Sequence, residues 1–173
     1  MAWKRTLTIG MALAAIIASP GMANDSPANG FSQRLLAAHN AERANAGVPP
    51  LAWSEELAGD ARSWAERLAG EGRMMHAGRD ERGHAGENLW MGTSGLFSAE
   101  VMVGTFIAEK RHFRNGTFPD VSTTGQWRDV GHYTQVIWRE TQEVGCAVVR
   151  NESDDFLVCR YWPAGNWYGK VPL

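Results

Sequence analysis

Leu57, Ala61, Trp64, Ala65 and Leu68 recur at helical spacing and form one apolar stripe. The stripe predicts a helix opening at Ser54, with Glu55 and Glu56 in the first turn, where the helix dipole favours anions. Gly70 is its expected end. An earlier helix is predicted through "QRLLAAHNAERANA", with Ser32 as N-cap and Phe31 and Leu36 at staple positions. It stops at Gly47, ahead of Pro49 and Pro50. A third helix runs from near Ser98 to about Phe113. Residues 71–97 read as irregular and glycine-rich, broken by a short strand at "ENLW".

The segment "AVVRNESDDFLV" reads as strand, polar turn, strand. Folded about Asn151–Asp154, it sets Arg150 opposite Asp155, Val148 opposite Leu157 and Cys146 opposite Cys159. That register brings the two thiols together as a cross-strand disulfide. No Cys-x-x-Cys spacing supports a metal-binding pair. Between the third helix and the segment "GHYTQVIW" lies a long polar stretch, 114–130. Loops of that length inside a compact domain are usually functional or mobile. Helices stacked beside a small sheet are the expected shape.

The third helix carries a misfit. Met102, Phe106, Glu109 and Phe113 share one face, and three of the four are apolar. A carboxylate buried there without partners costs several kcal/mol, so Glu109 is either in a structural salt bridge or lining a wet cleft. Three more polar groups sit in apolar or glycine-rich settings: His76 after two methionines, Glu87 in "GENLW", and His132 in "GHYTQVIW". Each alone reads as structural, and none has a local metal spacing such as His-x-x-x-His. His132 is open between a core or capping histidine and a cleft ligand. His84 and His112 read as surface residues.

The N-terminus looks like an address. Lys4 and Arg5 precede the apolar run "LTIGMALAAIIA"; Pro20 breaks it, and the small residues before Asn24 predict cleavage after Ala23. The run is too short to span the ~30 Å hydrocarbon core of a bilayer as a helix. The expected organisation is a signal peptide at 1–23, a polar lead-in at 24–30 and a single domain at 31–173. Nothing after the signal is long and apolar enough for a membrane anchor. Hydrophobic residues at 44% and charged ones at 21% exclude a disordered chain, and eight tryptophans need a core or a cleft. A net charge of -2 provides no electrostatic basis for a nucleic-acid partner. Export makes the disulfide chemically reasonable.

The stretch "HNAERANAGVPPLAWSEELAGDARSWA", followed by "GENLW", "GHYTQVIW", "VGCAVV" and "CRYWPAGNW", resembles the CAP superfamily of cysteine-rich secretory, antigen 5 and pathogenesis-related proteins. The likeness covers Phe31 to the end. It implies an α+β fold, a three-layer α-β-α sandwich with a small, mainly antiparallel sheet and an open cleft. It also implies a cleft tetrad of His76, Glu87, Glu109 and His132, in which His76 and His132 can hold Zn²⁺ or another divalent cation. The two glutamates then act as outer partners, a sensible donor set because second-shell carboxylates orient imidazole ligands.

Many relatives place Ser directly after the first histidine; here Ala77 stands there, so the covalent nucleophile suggested for them has no counterpart. The resemblance favours a non-enzymatic secreted binding module. Its implied partners are a small hydrophobic ligand, sterol or fatty acid, or a cell-envelope or extracellular protein. A metal-dependent hydrolase using the same cleft is the alternative, and a tetrad that only shapes the cleft is a third reading. The signal implies a periplasmic or extracellular protein, and its short form with a single disulfide suits bacterial export.

Overall fold

The computed structural model describes residues 27–173. The expected signal peptide, and the lead-in before Pro27, lie outside the described residues. Helix α1 spans Pro27–Ala46, so it starts ahead of the expected cap at Ser32 and takes in the end of the expected lead-in. Helix α2 spans Glu55–Glu71, and Ser54 caps it by accepting from the Leu57 N–H at 3.3 Å. Gly70 does not end this helix. Gly72 does, at φ 63°, a left-handed conformation that glycine adopts freely, with its N–H bonded to the Leu68 carbonyl.

Helix α3 spans Ala99–Ala108 and is capped by Ser98. The expected regular helix to Phe113 is replaced over Glu109–His112 by a 3-10 turn. Such tightening is common at helix ends, where the last carbonyls lack helical partners. Helix α4, Gly131–Val136, takes up most of "GHYTQVIW".

Among the described residues, four strands make one sheet: β1 (Ala52–Trp53), β2 (Gly86–Thr93), β3 (Glu143–Arg150) and β4 (Asp154–Trp162), in the order β1-β3-β4-β2. Only β1 and β3 run parallel. The β3–β4 hairpin has the register read from the sequence, with Arg150, Val148 and Cys146 opposite Asp155, Leu157 and Cys159. Cys146 and Cys159 form the disulfide. Asn151 Oδ1 closes the turn by accepting from the Ser153 and Asp154 N–H groups. Strand β2 is longer than "ENLW", because it pairs with β4 along its full length, from Gly86 opposite Tyr161 to Thr93 opposite Asp154.

Side-chain alternation on the central strands separates two cores. Ala147, Phe156 and Val158 pack with Leu89 under α2. Val144, Cys146, Leu157, Cys159 and Tyr161 face the other way, against α1, α3 and α4. This is an α-β-α sandwich. The stretch 114–130 is built rather than loose: Phe118, Val121 and Val130 are buried with Trp138 in a third cluster, and Phe113 bridges to Ser122. The described tryptophans divide between core and surface. Trp64 and Trp138 are buried, whereas Trp162 and Trp167 are exposed.

Candidate functional site

Glu109 stands where the 3-10 turn takes over from α3, and its carboxylate reaches the start of α4. Oε2 accepts from the backbone N–H groups of His132 and Tyr133 at 2.9 and 3.1 Å. Oε1 is 2.6 Å from His132 Nδ1. The carboxylate therefore caps the first N–H groups of a short helix and orients the imidazole it carries. The other side of that ring lies on Phe106 from α3, with centroids 5.1 Å apart and planes 22° apart. Asn88 Nδ2 donates to the His132 carbonyl at 3.1 Å and reaches the Tyr161 hydroxyl at 3.2 Å.

The second pair repeats this logic from other elements. His76 stands in the stretch after α2, and Glu87 on β2. His76 Nδ1 is 2.6 Å from Glu87 Oε1, which also accepts from the Ala77 N–H at 3.1 Å. Behind it, Arg160 Nη1 of β4 lies 2.9 Å from Glu87 Oε2. The contact is an ion pair without hydrogen-bond alignment, since both atoms lack a hydrogen-bond partner. Burial pulls the Arg160 pKa below its ordinary value, opposed by the neighbouring Glu87 carboxylate. The guanidinium stays charged because its ordinary pKa is so high.

His76, Glu87 and His132 line one cleft of about 870 Å³, with Glu109 behind His132. The exposures differ in a telling way. The side chains of His76 and His132 are 60% and 35% exposed, against 0% for Glu87 and 20% for Glu109. Each carboxylate is the inner partner and each ring the outer one. A carboxylate accepting from Nδ1–H sets the tautomer that keeps a lone pair on Nε2, the atom an imidazole offers to a metal.

The misfit at Glu109 is resolved as a cap and histidine partner, not as a salt bridge to a buried arginine. The buried salt bridge belongs to Glu87 instead. Sequence reasoning missed Arg160, Asn88 and Phe106 as supports. Asn88 and Arg160 had a readable signal, since each is a polar residue directly beside an apolar run of its strand. Gln135 was missed as well: Oε1 accepts from the Gly165 N–H at 2.9 Å, tying α4 to the C-terminal segment. Gly86 leaves room for that side chain: a Cβ there would stand 2.1 Å from the Gln135 Oε1 and push it aside. His84 is exposed and also lines the cleft, while His112 is half-buried.

A different trio, His39, Cys146 and Cys159, is close enough to suggest a metal group. It does not fit one in the oxidised chain. The sulfurs are bonded to each other, and the His39 nitrogens are engaged by the Leu35 carbonyl and the Tyr161 hydroxyl, each at 2.8 Å. A disulfide offers no thiolate.

A sandwich with one open cleft and two inward-buttressed histidines defines a class of protein. The chain belongs to the CAP family, the cysteine-rich secretory protein family, whose model matches residues 36–161. It is 37% identical over 146 residues to the tobacco (Nicotiana tabacum) pathogenesis-related protein 1C, covering 84% of this chain and 82% of that protein. It is 37% identical over 171 residues to pathogenesis-related protein 1 of Arabidopsis thaliana, covering 98% and 96%. A crystal structure of NaASP2 with Zn²⁺ superposes with a TM-score of 0.74 at 24% identity, covering 88% of this chain and 89% of the other. No described helix is long and apolar enough to cross a membrane.

Proposed function

We propose that the protein acts outside the cytoplasm as a binding module whose cleft holds a divalent cation, Zn²⁺ foremost, on His76 and His132. One observation carries this reading: both imidazoles rest on a carboxylate through Nδ1, at 2.6 Å in each case, and stand outward into the same cleft. That is the support a histidine ligand requires, and it fits the donor chemistry of Zn²⁺. The Zn²⁺ in the NaASP2 crystal is consistent with it. When bound, the cation supplies a charged anchor with open coordination positions. The chain's own residues supply the rest: Glu87 and Glu109 set the ring orientations, Phe106 fixes one ring plane, and Arg160 holds Glu87 in place. Trp127, Trp167 and Tyr168 offer apolar faces in the cleft, against which a sterol or fatty acid, or a side chain of an extracellular partner, can lie.

The binding reading is favoured over a metal-dependent hydrolase by the state of the two carboxylates. Glu87 is committed to His76, the Ala77 N–H and Arg160, and Glu109 to His132 and two backbone N–H groups. Both are engaged as the outer partners that orient an imidazole ligand. The test is calorimetric titration of Zn²⁺ into metal-stripped protein. One saturable site is expected, and His76→Ala with His132→Ala abolishes it. Unchanged binding in the double variant, or none in the wild type, sinks the reading.

A further inference from the structure

Among the described residues, the cleft lining gathers three arginines and one acidic residue, Glu87. Arg34, Arg67, Arg73, Arg114, Arg150 and Arg160 each lie beside a carboxylate. Arg79, Arg82 and Arg128 all line the cleft, and none of them has a carboxylate within ion-pair distance among the described residues. The acidic residue lining the cleft with them is Glu87, which is already committed. In a chain of net charge -2, these three cations give the cleft a locally positive lining.

These guanidiniums are oriented, not merely exposed. Arg79 lies over the Trp167 ring at 5.4 Å and Arg128 over the Trp127 ring at 5.0 Å. Stacking occupies the faces and keeps N–H groups at the edges, the geometry that grips planar or tetrahedral oxyanions. Arg79 Nε donates to His84 Nδ1 at 2.9 Å, so neutral His84 carries its proton on Nε2 and adds a donor.

The backbone here is also unusual. The described non-glycine residues with positive φ are His84 at 63° and Asn166 at 60°, and both line this cleft. Such conformations persist where surrounding structure enforces them, and they cluster at ligand sites. The segment is enforced here by the bonds His84 N–H to the Arg79 carbonyl, at 3.0 Å, and Arg82 Nη1 to the Ala85 carbonyl, at 2.8 Å.

We infer that this wall is an oxyanion site: the cleft takes its ligand through a carboxylate or phosphoryl group held on Arg79, Arg82 and Arg128. The inference rests on the reading of the cleft as a ligand site, but not on the metal. It adds a charged end to the ligand and disfavours a neutral sterol.

The test is calorimetry on the metal-stripped exported protein at low salt, with inorganic phosphate and with succinate as probes. One saturable site is expected for at least one of them. Tighter phosphate binding identifies a phosphoryl ligand, and tighter succinate binding a carboxylate. Arg79→Gln with Arg128→Gln lowers the affinity at least tenfold. Arg128→Gln alone, at a residue stacked on the indole of Trp127, weakens it at least threefold and guards against misfolding of the double variant. Arg62→Gln, at an exposed residue beside a separate pocket, leaves it unchanged. Saturation by neither probe, or equal affinity in Arg128→Gln and wild type, overturns the proposal. Because no metal is present, failure here leaves the Zn²⁺ result standing, and the reverse also holds.

Discussion

Glu109 and His39 show how single residues divide the roles of burial and hydrogen bonding. Glu109 accepts three hydrogen bonds, two of them from backbone N–H groups. Glu109→Ala strands those donors at the start of α4 and is expected to cost about 2–3 kcal/mol in urea unfolding. It also frees the His132 ring, so Zn²⁺ affinity drops about tenfold or more. His39 is buried with both nitrogens bonded, and burial pushes its pKa down to about 4. Its folded pKa lies below the unfolded value, so above the unfolded value the residue is neutral in both states and costs nothing. As pH falls, the unfolded chain gains the proton first, and stability is lost until the folded pKa is reached. Between pH 7 and pH 5 this costs about 2 kcal/mol. Unfolding of wild type and His39→Gln at both pH values checks it: the slope shrinks in the variant, whatever its absolute stability.

At the level of elements, the fit of α2 onto the sheet is set by one missing side chain. Gly145 of β3 lies against the start of α2, and a Cβ there would stand 2.2 Å from the Ala58 nitrogen and 2.5 Å from the Ser54 carbonyl oxygen. Those are backbone atoms and cannot swing away. Gly145→Ala is expected to cost about 3 kcal/mol, read as a lower urea midpoint. The elements also show which local signals were legible. Ser54 and Ser98 cap their helices as their sequence context says, because a cap depends on the next three residues. The start of α1 and the end of α2 were misjudged. Ser32 has cap chemistry but lies inside α1, and Gly70 is a glycine whose helical conformation makes no demand. The left-handed position falls at Gly72, and nothing local distinguishes the two.

For the whole molecule, the disulfide joins the two central strands, which carry both cores. Its cysteines are 13 residues apart, and closing a loop of that size restricts the unfolded chain by about 3 kcal/mol. Cys146→Ala with Cys159→Ala should lose up to that amount in denaturant unfolding while far-ultraviolet circular dichroism keeps its native form, since the strands remain paired. The stretch 114–130 belongs to this scale as well. Read as a polar loop, it buries Phe118, Val121 and Val130 against Trp138 and carries Trp127 to the cleft wall.

The sequence by itself determined what depends on neighbours a few residues away. The hairpin register followed from a short polar turn between strands of period two. Glu109 stood out because it interrupts an apolar helix face. The family resemblance then grouped His76, Glu87, Glu109 and His132, which no spacing rule connects. The tertiary structure decided which glutamate serves which histidine, that Arg160 stands behind Glu87, and that three arginines without carboxylates line one cleft. Those contacts join β2 to β4, the 3-10 turn after α3 to α4, and the stretch after α2 to the C-terminal segment. Each depends on how separate elements pack. Packing is a long-range sum of buried area and paired charge, which no local window of sequence contains.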